Sequence, residues 1–306
     1  MGVKRASGPK SFSYLAKDEI CTREISHGRA ELAAMTLASG TMSATNGDCT
    51  ICYTTESLPA AKRLVEIIRS EFGLSPAVRL ASTRGRSART VVVAHAADML
   101  DALGVLPDTG TLPAHLISTE QNRISVLRGA FLAGGSVSDP RKNYHLEFVT
   151  GTLRFAEVLR DILGGFSIRS NIVPRREHFV LYLNEGDGIA ALLALIGAHT
   201  SILNMENVRI LKETRNNVNR AVNCETANIN KTVNAAQTQV NSIRLIDREI
   251  GLGQLSAPLR EAAELRLDHP EASLQELCEL CGTTKSGMNH RLRKINAIAR
   301  ALSGEV

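Results

Sequence analysis

Two stretches decide how this chain folds: LRGAFLAGGSVSDP at residues 127–140 and LAAMTLASGTMSA at residues 32–44. Each reads as a helix of small and apolar residues that runs into glycine. When the chain is laid against itself at a shift of 95, residues 31–42 fall on residues 126–137. Leucine then recurs at the second position, Leu-Ala at the seventh and eighth, and glycine at the tenth. Self-similarity of this kind marks a duplicated unit. A second pair of segments keeps step, 57–74 beside 152–168, where Leu58, Ala61, Leu64 and Ile67 fall on Leu153, Ala156, Leu159 and Ile162. That spacing lays one apolar stripe along a helix in each copy.

Alternating, strand-like text accompanies these helices: DCTICYTT, SPAVRLAS and ARTVVVAH in the first copy, YHLEFVT, RSNIVPR and EHFVLYLN in the second. Each copy closes on a short apolar helix, AADMLDALGV or GIAALLALIG. The expected fold is therefore α+β: a duplicated αββαββα domain with a pseudo-twofold axis, its halves at 13–113 and 114–205. A flexible basic arm, 1–12, precedes it.

The double glycine at 134–135 lacks the Lys-Ser/Thr of a P-loop and the spacing of a dinucleotide fingerprint. No nucleophile elbow surrounds Ser136. The nine residues LRGAFLAGG and LAAMTLASG instead resemble the LAGLIDADG helix of homing endonucleases. In that family two such helices pack along the pseudo-twofold, and small residues let their backbones approach; here Gly129, Ala133, Ala34 and Ala38 hold those positions. The resemblance implies an acidic residue at the eighth position of each helix, where two carboxylates hold the metal ions that cleave DNA. Those positions are Ser39 and Gly134 in this chain. Asp48 and Asp139 lie downstream, outside the motif. The scaffold reads as kept and the catalytic positions as degenerate, so neither a metal nor a cofactor is expected.

Beyond residue 204 the composition turns to asparagine. Val218, Val222, Ile229, Val233, Ala236, Val240 and Ile243 recur at helical steps in 206–253. Asparagine is a poor helix former, so this Asn-rich linker reads as broken helices supported by packing. The last section, 254–306, is an all-α helix-turn-helix domain. Ser256 and Pro258 open one helix, Ser273 and Glu276 form a capping box on the next, Gly282 ends it, and TTKSGMNHRLRKINAIARAL is the third. On that third helix Met288, Leu292, Ile295 and Ala299 fall on one inward stripe within about 60° of arc. Lys285, Ser286, Asn289, His290, Arg291, Arg293 and Lys294 are left for DNA, and no acidic residue stands between Thr283 and Leu302. Phosphate attraction and base-edge reading need such a helix. Secondary DNA contacts are assigned to Arg84, Arg86 and Arg89 in the first half and to Arg175 and Arg176 in the second. Solvated loops or a protein-binding surface account for these arginines equally well.

Bulk properties agree. The 306 residues are 43% hydrophobic and 22% charged, with 36 basic against 31 acidic side chains and a formal charge of +5. Aromatics make up 4% and tryptophan is missing, which argues against an aromatic platform for stacked bases. The start of the chain does not read as a secretory signal, and the longest apolar run, 189–198, is too short to span a bilayer. A cytoplasmic, nucleoid-associated protein with reduced cysteines is expected. Two Cys-x-x-Cys pairs, 49/52 and 278/281, lie on a strand and on an apolar helix face, where four zinc ligands do not converge.

The string GAFLAGGSVSDP…YHLE, the Asn-rich segment and the C-terminal helices together resemble the WhiA family of bacterial transcription regulators. That resemblance implies a non-catalytic, sequence-specific DNA-binding regulator of sporulation or cell-division genes. Double-stranded DNA is its partner, and a sigma factor or RNA polymerase its protein contact; membrane is not, and the oligomeric state is left open. Two readings compete: a metal-dependent endonuclease with unorthodox ligands, and a protein-binding adaptor of the transcription machinery.

Overall fold

The computed structural model describes residues 10–45, 48–83 and 86–303. The chain divides between Leu211 and Lys212 into two compact units.

The first unit opens with α1 (Phe12–Cys21), capped by the Ser11 hydroxyl, which accepts from the Tyr14 amide at 3.2 Å. Residues 11 and 12 of the expected arm thus belong to a capped helix; residues 1–9 lie outside the described residues. The first half then runs α2 (Gly28–Ser39), β1 (Gly40–Thr45), β2 (Asp48–Thr55), α3 (Leu58–Phe72), β3 (Ala77–Thr83), β4 (Arg86–Val93) and α4 (Ala97–Leu103). The second repeats it as α5 (Glu120–Gly134), β5 (Gly135–Val137), β6 (Leu146–Thr150), α6 (Leu153–Gly165), β7 (Asn171–Arg175), β8 (His178–Leu183) and α7 (Gly186–Ile196). Each half is the αββαββα unit read from the repeat. The sheets are antiparallel, ordered β1-β2-β4-β3 and β5-β6-β8-β7.

Alternating text locates three of the four strands expected per half; the structure places the remaining one, β1 or β5, directly after the helix. Both start on the repeat's glycine with no loop after the helix. A Cβ on Gly40 would lie 2.5 Å from the Thr36 carbonyl oxygen, and one on Gly135 would overlap Phe131. The glycine at the tenth position of each copy is thus a helix-to-strand junction. Cys49 and Cys52 sit in β2, where residues three apart point to opposite faces.

Helices α2 and α5 pack against each other at the centre of the unit. Ala34, Leu37, Leu127, Ala130 and Phe131 are buried there. A Cβ on Gly129 would overlap the Glu31 carbonyl oxygen, which shows how closely the backbones approach. Beside this crossing Glu31 is buried with Arg63 of α3, whose guanidinium grips both carboxylate oxygens, the longer bond at 2.9 Å. Arg128 of α5 stands 3.9 Å from the same carboxylate and donates to the Ile196 carbonyl at 3.1 Å. Lys17 of α1 donates to the Leu132 carbonyl at 3.1 Å.

One helix, α8 (His199–Glu249), corrects the expectation of broken helices in 206–253. Neither glycine nor proline interrupts its sequence. Its side chains also bond within the helix: the Thr232 and Thr238 hydroxyls donate to the Asn228 and Asn234 carbonyls. The carboxylate of Glu19 caps its start, accepting from the Thr200 and Ser201 amides at 2.6 and 3.0 Å.

The second unit is helical, with α9 (Ala257–Asp268), α10 (Leu274–Cys281) and α11 (Lys285–Ser303) after α8. Its core joins Leu259, Ala262, Leu277, Met288, Leu292 and Ile295 to Ile243 and Ile246 of α8. Part of the segment read as linker therefore belongs to this core. Among the described residues no helix is long and apolar enough to cross a membrane.

Candidate nucleic-acid interface

The helix-turn-helix is held by local chemistry. Ser273 and Glu276 close a reciprocal capping box on α10: the Ser273 hydroxyl accepts from the Glu276 amide at 3.3 Å, and the Glu276 carboxylate accepts from the Ser273 amide at 2.6 Å. Those bonds hold the Glu276 carboxyl below its usual range. Gly282 ends α10 in the left-handed region, φ 62°, where a side chain would be strained. The chain turns through Thr283 to Thr284, whose hydroxyl accepts from the Gly287 amide at 3.2 Å. A Cβ on Gly287 would come within 3.1 to 3.2 Å of the Thr283 and Thr284 hydroxyl oxygens. The helix-breaking residue inside α11 thus fits the turn that precedes it.

Beyond that turn, Met288, Leu292, Ile295 and Ala299 are the buried residues of α11. Lys285, Ser286, His290, Arg293 and Lys294 are exposed, and Asn289 and Arg291 half-buried. Arg291 is held from α9, donating to the Glu261 carboxylate at 3.1 Å. Among the described residues Lys285, Arg293 and Lys294 have no ion-pair partner. Charge is segregated along the chain here. Residues 254–282 carry Glu261, Glu264, Asp268, Glu271, Glu276 and Glu279 against Arg260 and Arg266 alone, whereas 283–303 are basic throughout. The reading of α11 by itself missed this, because the acidic half of the contrast lies on its neighbours.

Arg266 of α9 is buried, and burial lowers its pKa. Its guanidinium donates to the Ala272 carbonyl at 2.6 Å, pinning the α9–α10 turn.

The degenerate positions meet at the far ends of α2 and α5. Ser39, Thr41, Asp108, Gly134, Thr152 and His178 line a cleft of about 430 Å³ there. The Ser39 hydroxyl donates to the Met35 carbonyl at 3.2 Å. A Cβ on Gly134 would lie 2.5 Å from the Val149 carbonyl oxygen, so the backbone leaves no room for a carboxylate stem. Asp48 is elsewhere, 2.9 Å from His95, and Asp139 accepts from the Arg141 amide within its own turn. The donor set does not fit the hard divalent cation that the motif serves in endonucleases. Asp108, which sequence reasoning missed, comes from the loop joining the halves.

The secondary arginines diverge. Arg84 lies outside the described residues, and the backbone places Arg86 in β4. Arg89 donates to the Glu56 carbonyl at 3.3 Å. Arg175 stands 3.5 Å from Glu147, which also faces His145 at 3.5 Å. Arg176 takes φ 57° at the turn of the β7–β8 hairpin. Glu147 offsets part of the positive charge expected of that sheet.

Comparison with known proteins follows this division. Residues 26–105 match the WhiA N-terminal LAGLIDADG-like domain, 123–215 the WhiA LAGLIDADG-like domain, and 218–299 the WhiA C-terminal HTH domain. The chain is 40% identical over 310 residues to proteins of Clostridium botulinum and Clostridium perfringens, each named probable cell division protein WhiA, with 95% of this chain and 98% of each relative covered. The crystal structure of full-length WhiA from T. maritima is similar over 95% of this chain and 99% of that one, with TM-score 0.61 and 26% identity.

Proposed function

Since the chain belongs to the WhiA family, we propose that it is a non-catalytic regulator that reads a specific DNA sequence through α11. The observation that carries this reading is the outward face of that helix, basic, unpaired and free of carboxylates. Arg293 and His290 read base edges; Lys285 and Lys294 hold phosphates, and Ser286 and Asn289 fill in between. Arg291, tethered to Glu261, positions the helix. Transcription is the process controlled, with cell-division genes and, by family resemblance, sporulation genes as targets. A sigma factor or RNA polymerase is the protein contact, in the nucleoid of the cytoplasm. The test is selection of DNA fragments by the full chain, followed by affinity measured against salt. A sequence-specific site whose binding weakens steeply with salt is expected; binding indifferent to sequence and salt would point to the adaptor reading.

The cleft at Ser39 and Asp108 keeps the endonuclease reading testable. The selected duplex incubated with Mg²⁺ or Mn²⁺ should remain intact. Gly134→Asp should restore no cleavage and should destabilise the fold by roughly 1–3 kcal/mol, the usual cost of overpacking. Site-specific cleavage lost in Ser39→Ala overturns the non-catalytic reading.

A further inference from the structure

Strand β3 closes its sheet with one side open. The order β1-β2-β4-β3 gives it β4 as its one strand neighbour. Along the other side its N–H and C=O groups face outward, the template on which another strand pairs. Its outer residues are apolar for such a place: Val78 is 51% and Leu80 81% exposed. Both stand on the side of the sheet that α3 covers, because side chains two apart share a face. There Leu58, Lys62, Val65, Glu66 and Arg69 of α3 join Val78 in lining a groove of about 630 Å³.

The second half shows the same edge in a closed form. Val78 pairs with Val91 and Leu80 with Arg89, as Ile172 pairs with Leu181 and Pro174 with Phe179. The rows Gly40, Tyr53, Val91 and Gly135, Phe148, Leu181 make these pairs equivalent. Leu80 thus corresponds to Pro174. Proline gives a strand no donor, so β7, five residues long, is blocked at the place where β3, seven residues long, is open. The N–H of Leu80 stands where the ladder does without one. On the helices, the repeat sets Lys62, Val65 and Arg69 against Glu157, Arg160 and Gly164. Either version satisfies the fold, so packing does not demand the apolar and basic one.

We propose that β3 and this groove bind an extended segment of a partner protein, acidic overall and apolar at alternate positions. An added strand satisfies the outward backbone row, and every second side chain of it falls on the groove. Charge selects the rest. Lys62, Arg69, Arg79 and Arg89 stand along α3, β3 and β4 against Glu56 and Glu66. An acidic strand is attracted there, whereas a second copy of this chain would bring the same excess of bases. A duplex offers no backbone in strand register and nothing apolar for Val78 and Leu80 to meet. The groove belongs to the first unit, so the proposal does not rest on α11 reading DNA.

Panning the full chain with displayed random peptides of about ten residues, enough for one strand, tests this. Enriched peptides should alternate apolar residues and carry more acidic than basic ones. Their synthetic copies should bind Leu80→Pro about tenfold more weakly. Its melting profile should be unchanged, since the second half already holds proline at that place. Lys62→Glu/Arg69→Glu should weaken acidic peptides by roughly threefold or more. No enrichment overturns the proposal, as do enriched peptides with an excess of bases or binding indifferent to Leu80→Pro. Sedimentation of the chain alone should show no dimer that Leu80→Pro abolishes; such a dimer would assign the edge to a second copy and overturn the proposal equally.

Discussion

The crossing of α2 and α5 and the amphipathic helix α11 use their residues in opposite ways. In α2 every residue from Ala30 to Leu37 is buried, and α5 is buried from Gly129 to Leu132. Burial runs so far along these helices that at Gly134, one of the two positions that serve metal chemistry in endonucleases, the backbone of Val149 closes the space. In α11 one stripe of four residues goes to the core and the rest stays in water. Packing alone constrains the first pair. The second helix divides its sequence between a core and solvent. Substitutions at the crossing should therefore change stability without changing recognition, and substitutions on the open face of α11 the reverse.

The largest expected effect is Glu31→Ala, which strands the buried Arg63 without its counter-charge. A loss of about 3–5 kcal/mol is expected from denaturant unfolding. Below the transition the affinity for the selected site should be unchanged; a variant that folds normally but loses its site would break the comparison. Next come Arg293→Ala and His290→Ala, each costing about 1–3 kcal/mol of discrimination between the selected site and its mismatches. Their unfolding midpoints should match the wild type, and a shifted midpoint would mean that the open face also packs.

Lys17 sharpens the contrast from the other side. Pressed against the last turn of α5, it is desolvated, and burial lowers its pKa from 10.5 to about 8. The unfolded chain then holds more protons than the folded one between these values, so stability should rise with pH from about 8 to 10.5. Thermal melts across that window should show the rise, and Lys17→Met should flatten it. The smallest effect is Lys285→Ala: weaker binding to all sequences alike, and a salt dependence shallower by about one ion. Loss of discrimination in this variant would move Lys285 among the base readers.

Much of this was legible beforehand. The duplication, the glycine that closes the first helix of each copy and the inward stripe of α11 are written in residue spacing. What escaped reading depends on contacts distant in sequence or on signals that local rules weigh wrongly. Strand β1 is largely polar, β5 has three residues, and both are fused to their helices, so they give no alternating text. The Glu31–Arg63 pair links residues on different helices with no motif between them. Asparagine's low propensity suggested breaks in α8, where the lack of glycine and proline and a continuous apolar stripe weighed more. Asp108 entered the degenerate cleft by way of a connecting loop, which no spacing announces.

The separation of charge in the C-terminal helices has a kinetic consequence. With six carboxylates against two arginines over residues 254–282 and only basic charges over 283–303, these three helices carry an uneven charge. In the field of a duplex they experience a torque as well as an attraction. In the proposed DNA-binding role, that torque turns α11 towards the duplex before any atom touches. Fewer encounters are then wasted on wrong orientations, and the advantage fades as added salt shortens the reach of the field.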